Sequence, residues 1–341
     1  MTGTVGKRRR TTPINSSPDM RGISRSEIMT LGSLSRSFPS ASIPSSAWNA
    51  SKPAFSRYLE RSLRMDGSSS TSKIETGGSG KGRAELAAVL GSGSRFITPA
   101  LVTDTLGVDA DSAAKRLSRW AADGWVRRVR RGMYIGVPVD AANPAAWSED
   151  ALIVAAAVWA PCYFTGWTSA NHWALTDQVF RTTVLKTTTR VRSSNAKLLD
   201  HAYLVAHASE TALSWGTKTE WHDGTRLRFA DPARTVIDVL DDPRLAGGIR
   251  HAAEITDAYL NEHDPVTLIV YGDRLGNRAV FKRLGYIVEA LGRDRPDLIA
   301  ACRARVSAGI STLDPQGPKG GRRLMRWGLR VNVTLGPVEP A

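Results

Sequence analysis

Between Arg83 and Gly136 the sequence divides itself into short elements more sharply than anywhere else in the chain. Ala84 to Leu90 predicts a first short helix, broken by Ser94-Arg95-Phe96-Ile97. Thr98 before Pro99 is an N-cap and first-turn pair, and Gly107 after Leu106 is a stop, so a second helix lies between them. A third helix opens after Val108, with Asp109 or Asp111 as its cap, and Gly124 terminates it. Along it Ala113, Leu117, Trp120, Ala121 and Gly124 recur at i, i+4, i+7, i+8 and i+11 and form one inward face. Ser112, Arg116 and Arg119 recur at i, i+4 and i+7 on another, with Lys115 beside them, so that one face packs and the other is cationic. Val126-Arg127-Arg128-Val129-Arg130-Arg131-Gly132-Met133-Tyr134-Ile135 then reads as two β-prone runs around an Arg-Arg-Gly turn. Three short helices and a basic hairpin in about 55 residues form the pattern of a winged helix-turn-helix.

The rest of the 341-residue chain arranges itself around this module. Residues 1–82 are rich in Ser, Gly, Pro and Arg and close on GSSSTSKIETGGSGKG, a composition that buries too little apolar surface to offset chain entropy. They are expected to be a disordered basic tail with a Gly/Ser linker, and Met65 offers a later start. Residues 83–136 are the DNA-binding module, 137–147 a Pro/Ala/Asn-rich linker, and 148–341 a larger C-terminal domain. In that domain Ala151 to Trp159 predicts a buried helix, and Thr182–Thr189, Tyr203–Ala206 and Thr225–Phe229 predict strands. Helices follow over 232–240, 249–260, about 266–275, 278–291 and 296–306, and a last strand over 327–333. Mixed strands and helices in one block predict an α+β fold.

The net charge is +14, from 46 Lys and Arg against 32 Asp and Glu, which points to a polyanionic partner. It is unevenly spread. The tail holds 13 basic and 5 acidic side chains (+8), residues 83–136 hold 9 and 5 (+4), and the remainder holds 24 and 22 (+2). Two distant cysteines, Cys162 and Cys302, exclude a disulfide scaffold and a cysteine-based zinc module, and they fit a reducing cytoplasm. The longest apolar run, Ala151 to Ala160, is half of the ~20 residues a membrane helix needs, so no membrane partner is expected. Lys7-Arg8-Arg9-Arg10 has no apolar segment after it, and a secretory signal is not expected.

Chemistry concentrates in the module. A helix fits the major groove, and Arg bidentate to guanine is the commonest specific contact, so Arg116 and Arg119 are the base-reading residues, flanked by Ser112 and Lys115 on phosphate. Arg127, Arg128, Arg130 and Arg131 on the wing would hold the backbone or enter the minor groove. Lys186, Arg190, Arg192 and Lys197 on or after the Thr-rich strand either extend that path, face an acidic partner or form a solvated edge that discourages strand pairing. The six histidines, His172, His201, His207, His222, His251 and His263, show no metal-binding spacing. No Asp-x-Lys or Glu-x-Lys triplet occurs, and Gly80-Lys81-Gly82 lacks the frame of a phosphate-binding loop. No catalytic residue, metal or cofactor is therefore called for, and the chain reads as a non-enzyme. Arg234 and Asp238, four apart on one helix, predict an ion pair beside the apolar face of Val236, Ile237 and Leu240. The alternatives are a nucleic-acid-processing enzyme with a winged-helix targeting domain, and a pure interaction protein.

One family shares this order of features. The winged helix ends in Leu117-Ser118-Arg119-Trp120 and Gly124-Trp125-Val126, and Tyr163-Phe164-Thr165-Gly166-Trp167-Thr168-Ser169-Ala170 follows. Asp231-Pro232-Ala233-Arg234-Thr235-Val236-Ile237-Asp238 and Pro243-Arg244-Leu245-Ala246-Gly247-Gly248 come after it. From about Arg83 to Val333 the chain resembles the AbiEi antitoxins of type IV toxin–antitoxin, phage-defence systems. The resemblance implies an N-terminal domain that represses its own operon at operator repeats in double-stranded DNA. It also implies a C-terminal domain that counters a cognate nucleotidyltransferase-type toxin, with or without direct contact. Gly166, Trp167, Arg234, Asp238, Gly247 and Gly248 carry over as a family fingerprint and not as catalytic groups. The long tail departs from the family, and nothing is carried onto residues 1–82.

Overall fold

The computed structural model describes residues 79–335 apart from 139, 142 and 144, so the expectation of a disordered tail over 1–78 lies outside the described residues. The described chain is mixed α+β. Helix α1 (Ser79–Leu90) begins earlier than the sequence predicts, inside the expected Gly/Ser linker. Gly82 lies against the Trp125 ring and the Arg83 guanidinium stands 5.4 Å over it, tertiary contacts that outweigh the poor helix propensity of Gly80 and Gly82. After β1 (Phe96–Ile97), α2 (Pro99–Leu106) is capped by Thr98, whose Oγ1 accepts from the Leu101 amide at 3.2 Å. Helix α3 (Ala110–Ala122) takes Asp109 as its cap, at 2.8 Å from the Ser112 amide, and Asp111 falls in the first turn.

Leu86, Val89, Ile97, Val102, Ala113, Leu117, Trp120 and Val126 close the core of these helices. Three of the five residues expected on the inward face of α3 are buried; Ala121 is half-buried, and Gly124 is exposed in the turn that follows. Strands β2 (Val126–Arg130) and β3 (Met133–Gly136) pair antiparallel, and β1 adds to β3, giving the order β1-β3-β2. The register shifts between Arg128 and Arg130; Val126 is buried among the helices, and Val129 is buried on the other face of the hairpin, toward the larger domain.

The larger part is built on a six-stranded mixed sheet. Its strands are β4 (Cys162–Phe164), β5 (Thr182–Thr187), β6 (Asn195–Leu198), β7 (His201–His207), β8 (Thr217–His222) and β9 (Thr225–Ala230), in the order β6-β7-β5-β4-β9-β8. Both faces of the centre are covered. Leu185, Tyr203, Val205, Leu227 and Phe229 face α4 (Ala151–Val158) and the underside of the β2–β3 hairpin, where Val129 and Ile135 meet Val154, Ala155 and Val158. Val184 on the opposite face joins a layer of α5 (Gly166–His172), α6 (Pro232–Asp241), α7 (Ile249–Glu262), α8 (Val266–Leu275), α9 (Ala279–Ala290) and α10 (Pro296–Arg303). Five of the six residues of β5 are consequently buried, and the strand reads as a near-continuous run instead of an alternation.

A small sheet β10-β12-β11, of β10 (Ser311–Thr312), β11 (Arg322–Leu324) and β12 (Leu329–Val331), closes the helical layer. The strand expected from Trp327 is shorter, because Trp327 sits in a 3-10 turn over Gly285 of α9, with its indole nitrogen donating to Glu289 at 2.6 Å.

Candidate nucleic-acid interface

The eight cations and polar groups expected to meet nucleic acid separate into two sets. Lys115 and Arg119 are exposed on α3, and Arg128, Arg130 and Arg131 are exposed on the hairpin. Among the described residues no carboxylate forms an ion pair with any of these five. Ser112, Arg116 and Arg127 have partners inside the chain. The Ser112 hydroxyl donates to Asp109 at 2.7 Å, so its proton serves the cap of α3 instead of a phosphate. Arg116 is a fork on Glu85 of α1, Nε to Oε2 at 3.0 Å and Nη2 to Oε1 at 3.4 Å, which takes its guanidinium from the base-reading role that its helical spacing suggested. Arg127 donates to the Trp147 carbonyl and to Asp200, each at 2.6 Å, and ties the hairpin to the larger domain. Arg95 does the same from the other side, at 2.8 Å from Asp223 and 3.5 Å from Glu149.

Next to the hairpin, a cleft of about 280 Å³ is lined by Arg130, Trp159, Thr189, Arg190, Arg192 and Asn195. Arg190 and Arg192 of the larger domain thus stand beside a hairpin arginine, a grouping that spacing along the chain does not reveal because Arg130 and Arg190 are far apart in sequence. Lys197 is exposed and 3.6 Å from Asp200. Lys186 is not on this edge. It is buried on β5 with Nζ 2.9 Å from Asp238 Oδ1, and the expectation of a basic strand edge is corrected to that extent.

The fingerprint residues gather around α5 and α6. Asp238 is fully buried, and its two oxygens take four donors: Lys186 Nζ at 2.9 Å and Arg234 Nε at 3.0 Å on one, Tyr163 Oη at 3.0 Å and Thr165 Oγ1 at 2.8 Å on the other. Arg234 also donates to Tyr163 Oη at 2.9 Å, and its guanidinium lies 3.5 Å from the Trp215 ring centre. Burial alone raises the pKa of such a carboxyl; here Lys186 and Arg234 outweigh it and hold Asp238 below the usual carboxylate range. Asp241, 3.9 Å from Lys186, supplies the second negative charge. Gly166 opens α5 with φ +58°, where a Cβ would lie 2.2 Å from the Leu245 carbonyl oxygen. Gly247 lies against the Trp167 ring, whose indole nitrogen donates to the Thr182 carbonyl, and the Gly248 amide donates to the Pro243 carbonyl at 2.9 Å. These residues fix the docking of α5 on α6 and on the 3-10 turn Pro243–Ala246.

Among the described residues no three His, Cys, Asp or Glu side chains are grouped as metal ligands, and no helix is long and apolar enough to cross a membrane. No family model matches the chain, and no curated protein does. Among solved structures, the crystal structure of the RV2827C protein from Mycobacterium tuberculosis is similar in fold, with a TM-score of 0.52 and 15% identity. The similarity covers 72% of this chain and 89% of that one.

Proposed function

We propose that this chain is a DNA-binding transcriptional autorepressor and antitoxin of a type IV toxin–antitoxin phage-defence system, similar to the AbiEi antitoxins. The observation that carries the reading is the exposed set Lys115, Arg119, Arg128, Arg130 and Arg131, on a third helix and the hairpin directly after it. The element order helix, strand, helix, helix, hairpin around a three-stranded sheet supports a winged helix-turn-helix. In it Arg119 and Lys115 of α3 reach base edges and flanking phosphate, and the hairpin arginines hold the backbone. Arg190 and Arg192 continue that basic surface onto the larger domain. The larger domain is the antitoxin half, built around the buried Arg234–Asp238 pair, and its partner in function is a nucleotidyltransferase-type toxin.

Two assays test the two halves. In gel shifts at moderate salt, the full chain retards DNA from upstream of its own gene more strongly than random DNA of equal length. Coexpression relieves growth arrest by a nucleotidyltransferase encoded beside it. Equal retardation of both DNAs removes the operator reading, and unrelieved arrest removes the antitoxin reading.

A further inference from the structure

The cleft of about 280 Å³ beside the hairpin holds more than a row of positive charge. Arg130, Arg190 and Arg192 line it, and so does an apolar wall of Val158, Trp159, Val191 and Ala196. Trp159 is buried and leans on Tyr203 with ring centroids 5.0 Å apart, so it serves as wall and not as a stacking platform. Val129 is buried in the core that also holds Val158 and Trp159, which places the next residue, Arg130, at the cleft. Arg127, bonded to the Trp147 carbonyl and to Asp200, holds the same hairpin against the larger domain. The two sides of the recess are therefore set before a ligand arrives.

The lining restricts the occupant. It contains no Asp or Glu, and among the described residues no carboxylate forms an ion pair with these three arginines. The hydroxyls are committed: Thr189 Oγ1 donates to the Ala160 carbonyl at 3.1 Å and Ser193 Oγ to the Asn195 carbonyl at 2.9 Å. The Asn195 carboxamide makes no hydrogen bond among the described residues and is left to meet a ligand. An occupant thus brings negative charge to the arginines and an apolar-faced body to the wall. A duplex supplies phosphates but keeps its bases stacked inside the helix, and would leave the apolar wall uncovered. A nucleotide supplies both, with phosphate oxygens that accept from the guanidinium forks. One phosphate ester carries about −1.5 to −2 near pH 7, so three guanidiniums are matched by a diphosphate. The volume is at the small end of ligand pockets, which suits a single nucleotide better than an oligomer.

We infer that this cleft is a site for a nucleoside diphosphate, with the phosphates on Arg130, Arg190 and Arg192, the base against the apolar wall, and Asn195 bonded to the base or sugar. The assignment stands on the cleft alone. Its consequence rests on the operator reading: Arg130 serves both surfaces, so the nucleotide and DNA exclude one another there.

Calorimetric titration of the full chain, in metal-free buffer, with the common ribonucleoside diphosphates, their parent nucleosides and pyrophosphate tests it. At least one diphosphate binds saturably, and about tenfold or more tighter than both its nucleoside and pyrophosphate, because each of those meets only the wall or only the arginines. Arg190→Ala and Arg192→Ala, at exposed positions whose melting temperatures should match the parent, each weaken that binding about tenfold or more. Absence of saturable binding overturns the assignment, as does unchanged binding by both variants. Pyrophosphate as tight as the diphosphates also overturns it, and would leave the arginines as a phosphate contact for nucleic acid alone. In fluorescence anisotropy the same nucleotide displaces a labelled operator duplex from the parent; simultaneous binding of the two overturns the exclusion. A chain that binds the nucleotide and no DNA fails the operator reading alone, and one that holds the operator but binds no nucleotide fails this assignment alone.

Discussion

Arg116 of α3 is held by Glu85 of α1 through two hydrogen bonds, so the cation at the centre of the helix's basic stripe is joined to the helix behind it. This separates the two arginines that share the stripe. On the proposed operator-binding reading, Arg119→Ala should cost about 1–3 kcal/mol on the operator and relax base preference, because of these two arginines only Arg119 has no carboxylate partner among the described residues. Arg116→Ala should remove a partly exposed ion pair worth about 0.2–1 kcal/mol of stability, and weaken operator and random DNA alike. Glu85→Gln is the informative partner: it releases the Arg116 guanidinium and should tighten binding to both DNAs. Quantitative gel shifts with thermal melts decide the matter, and equal loss of base preference in Arg116→Ala and Arg119→Ala contradicts the division.

Arg130 lies on the hairpin in the same cleft as Arg190 and Arg192. A cation that meets phosphate contributes counterion release and no sequence information. Arg130→Ala should therefore lower affinity for every DNA by a similar factor and reduce the slope of log K against log salt by about 1. Arg190→Ala should act in the same direction if the DNA path crosses onto the larger domain. Titrations at several salt concentrations read the slope directly. A loss confined to the operator would move Arg130 to base reading.

The sequence was most legible where a structure depends on neighbours along the chain. Thr98 with Pro99, a cap at Asp109 or Asp111, and the helical period of α3 act within one or two turns; the fold shows Thr98 and Asp109 as the caps and buries Ala113, Leu117 and Trp120 of the expected inward face. Contacts across long separations were hidden. Glu85 reaches Arg116 from 31 residues away, and Asp238 reaches Lys186 from 52, so two basic side chains that spacing assigned to open faces are bound within the protein. The start of α1 at Ser79 depends on Trp125, and no local signal in Gly80-Lys81-Gly82 anticipates it. Strands β6 and β8 escaped notice for a related reason. Both are edge strands with few buried residues, and they lack the β-branched run that marked β5 and the alternating apolar residues Leu227 and Phe229 that marked β9. The Arg234–Asp238 pair was legible as i, i+4, but its burial was not, because Tyr163, Thr165 and Lys186 come from other strands and loops.

That buried cluster makes a prediction about stability and its pH dependence. Asp238→Asn keeps the shape and leaves Lys186 and Arg234 facing an uncharged group, which should destabilise the larger domain by about 3–5 kcal/mol. The sign with pH follows from a pKa that is lowered in the fold, where burial opposes and Lys186 and Arg234 prevail. The stabilisation is full above the unfolded carboxyl value of about 3.9 and is lost as pH falls through the lower folded value. Denaturant melts across the acid range should show the native chain losing stability below about pH 4, and Asp238→Asn losing less over the same interval. A variant as acid-sensitive as the parent would remove Asp238 from that transition.

Gly166 offers a test of the junction that positions this cluster. Its φ of +58° disfavours any side chain by roughly 1–2 kcal/mol, and a Cβ there would come within 2.2 Å of the Leu245 carbonyl oxygen. Gly276, at φ +81° after α8, has the same backbone requirement with nothing within 4 Å of its Cβ position. Gly276→Ala should therefore show the conformational cost alone, a fall of a few degrees in melting temperature. Gly166→Ala should fall further, because the turn Pro243–Ala246 must move off α5, and with it the start of α7 and the Asp314 contact at the Ile249 amide. The two variants differ in the carbonyl contact and not in backbone hand, so the difference between their melts measures how tightly α5 is seated on that turn. Equal shifts would mean that the turn yields freely and that Gly166 is required for its dihedral angle only.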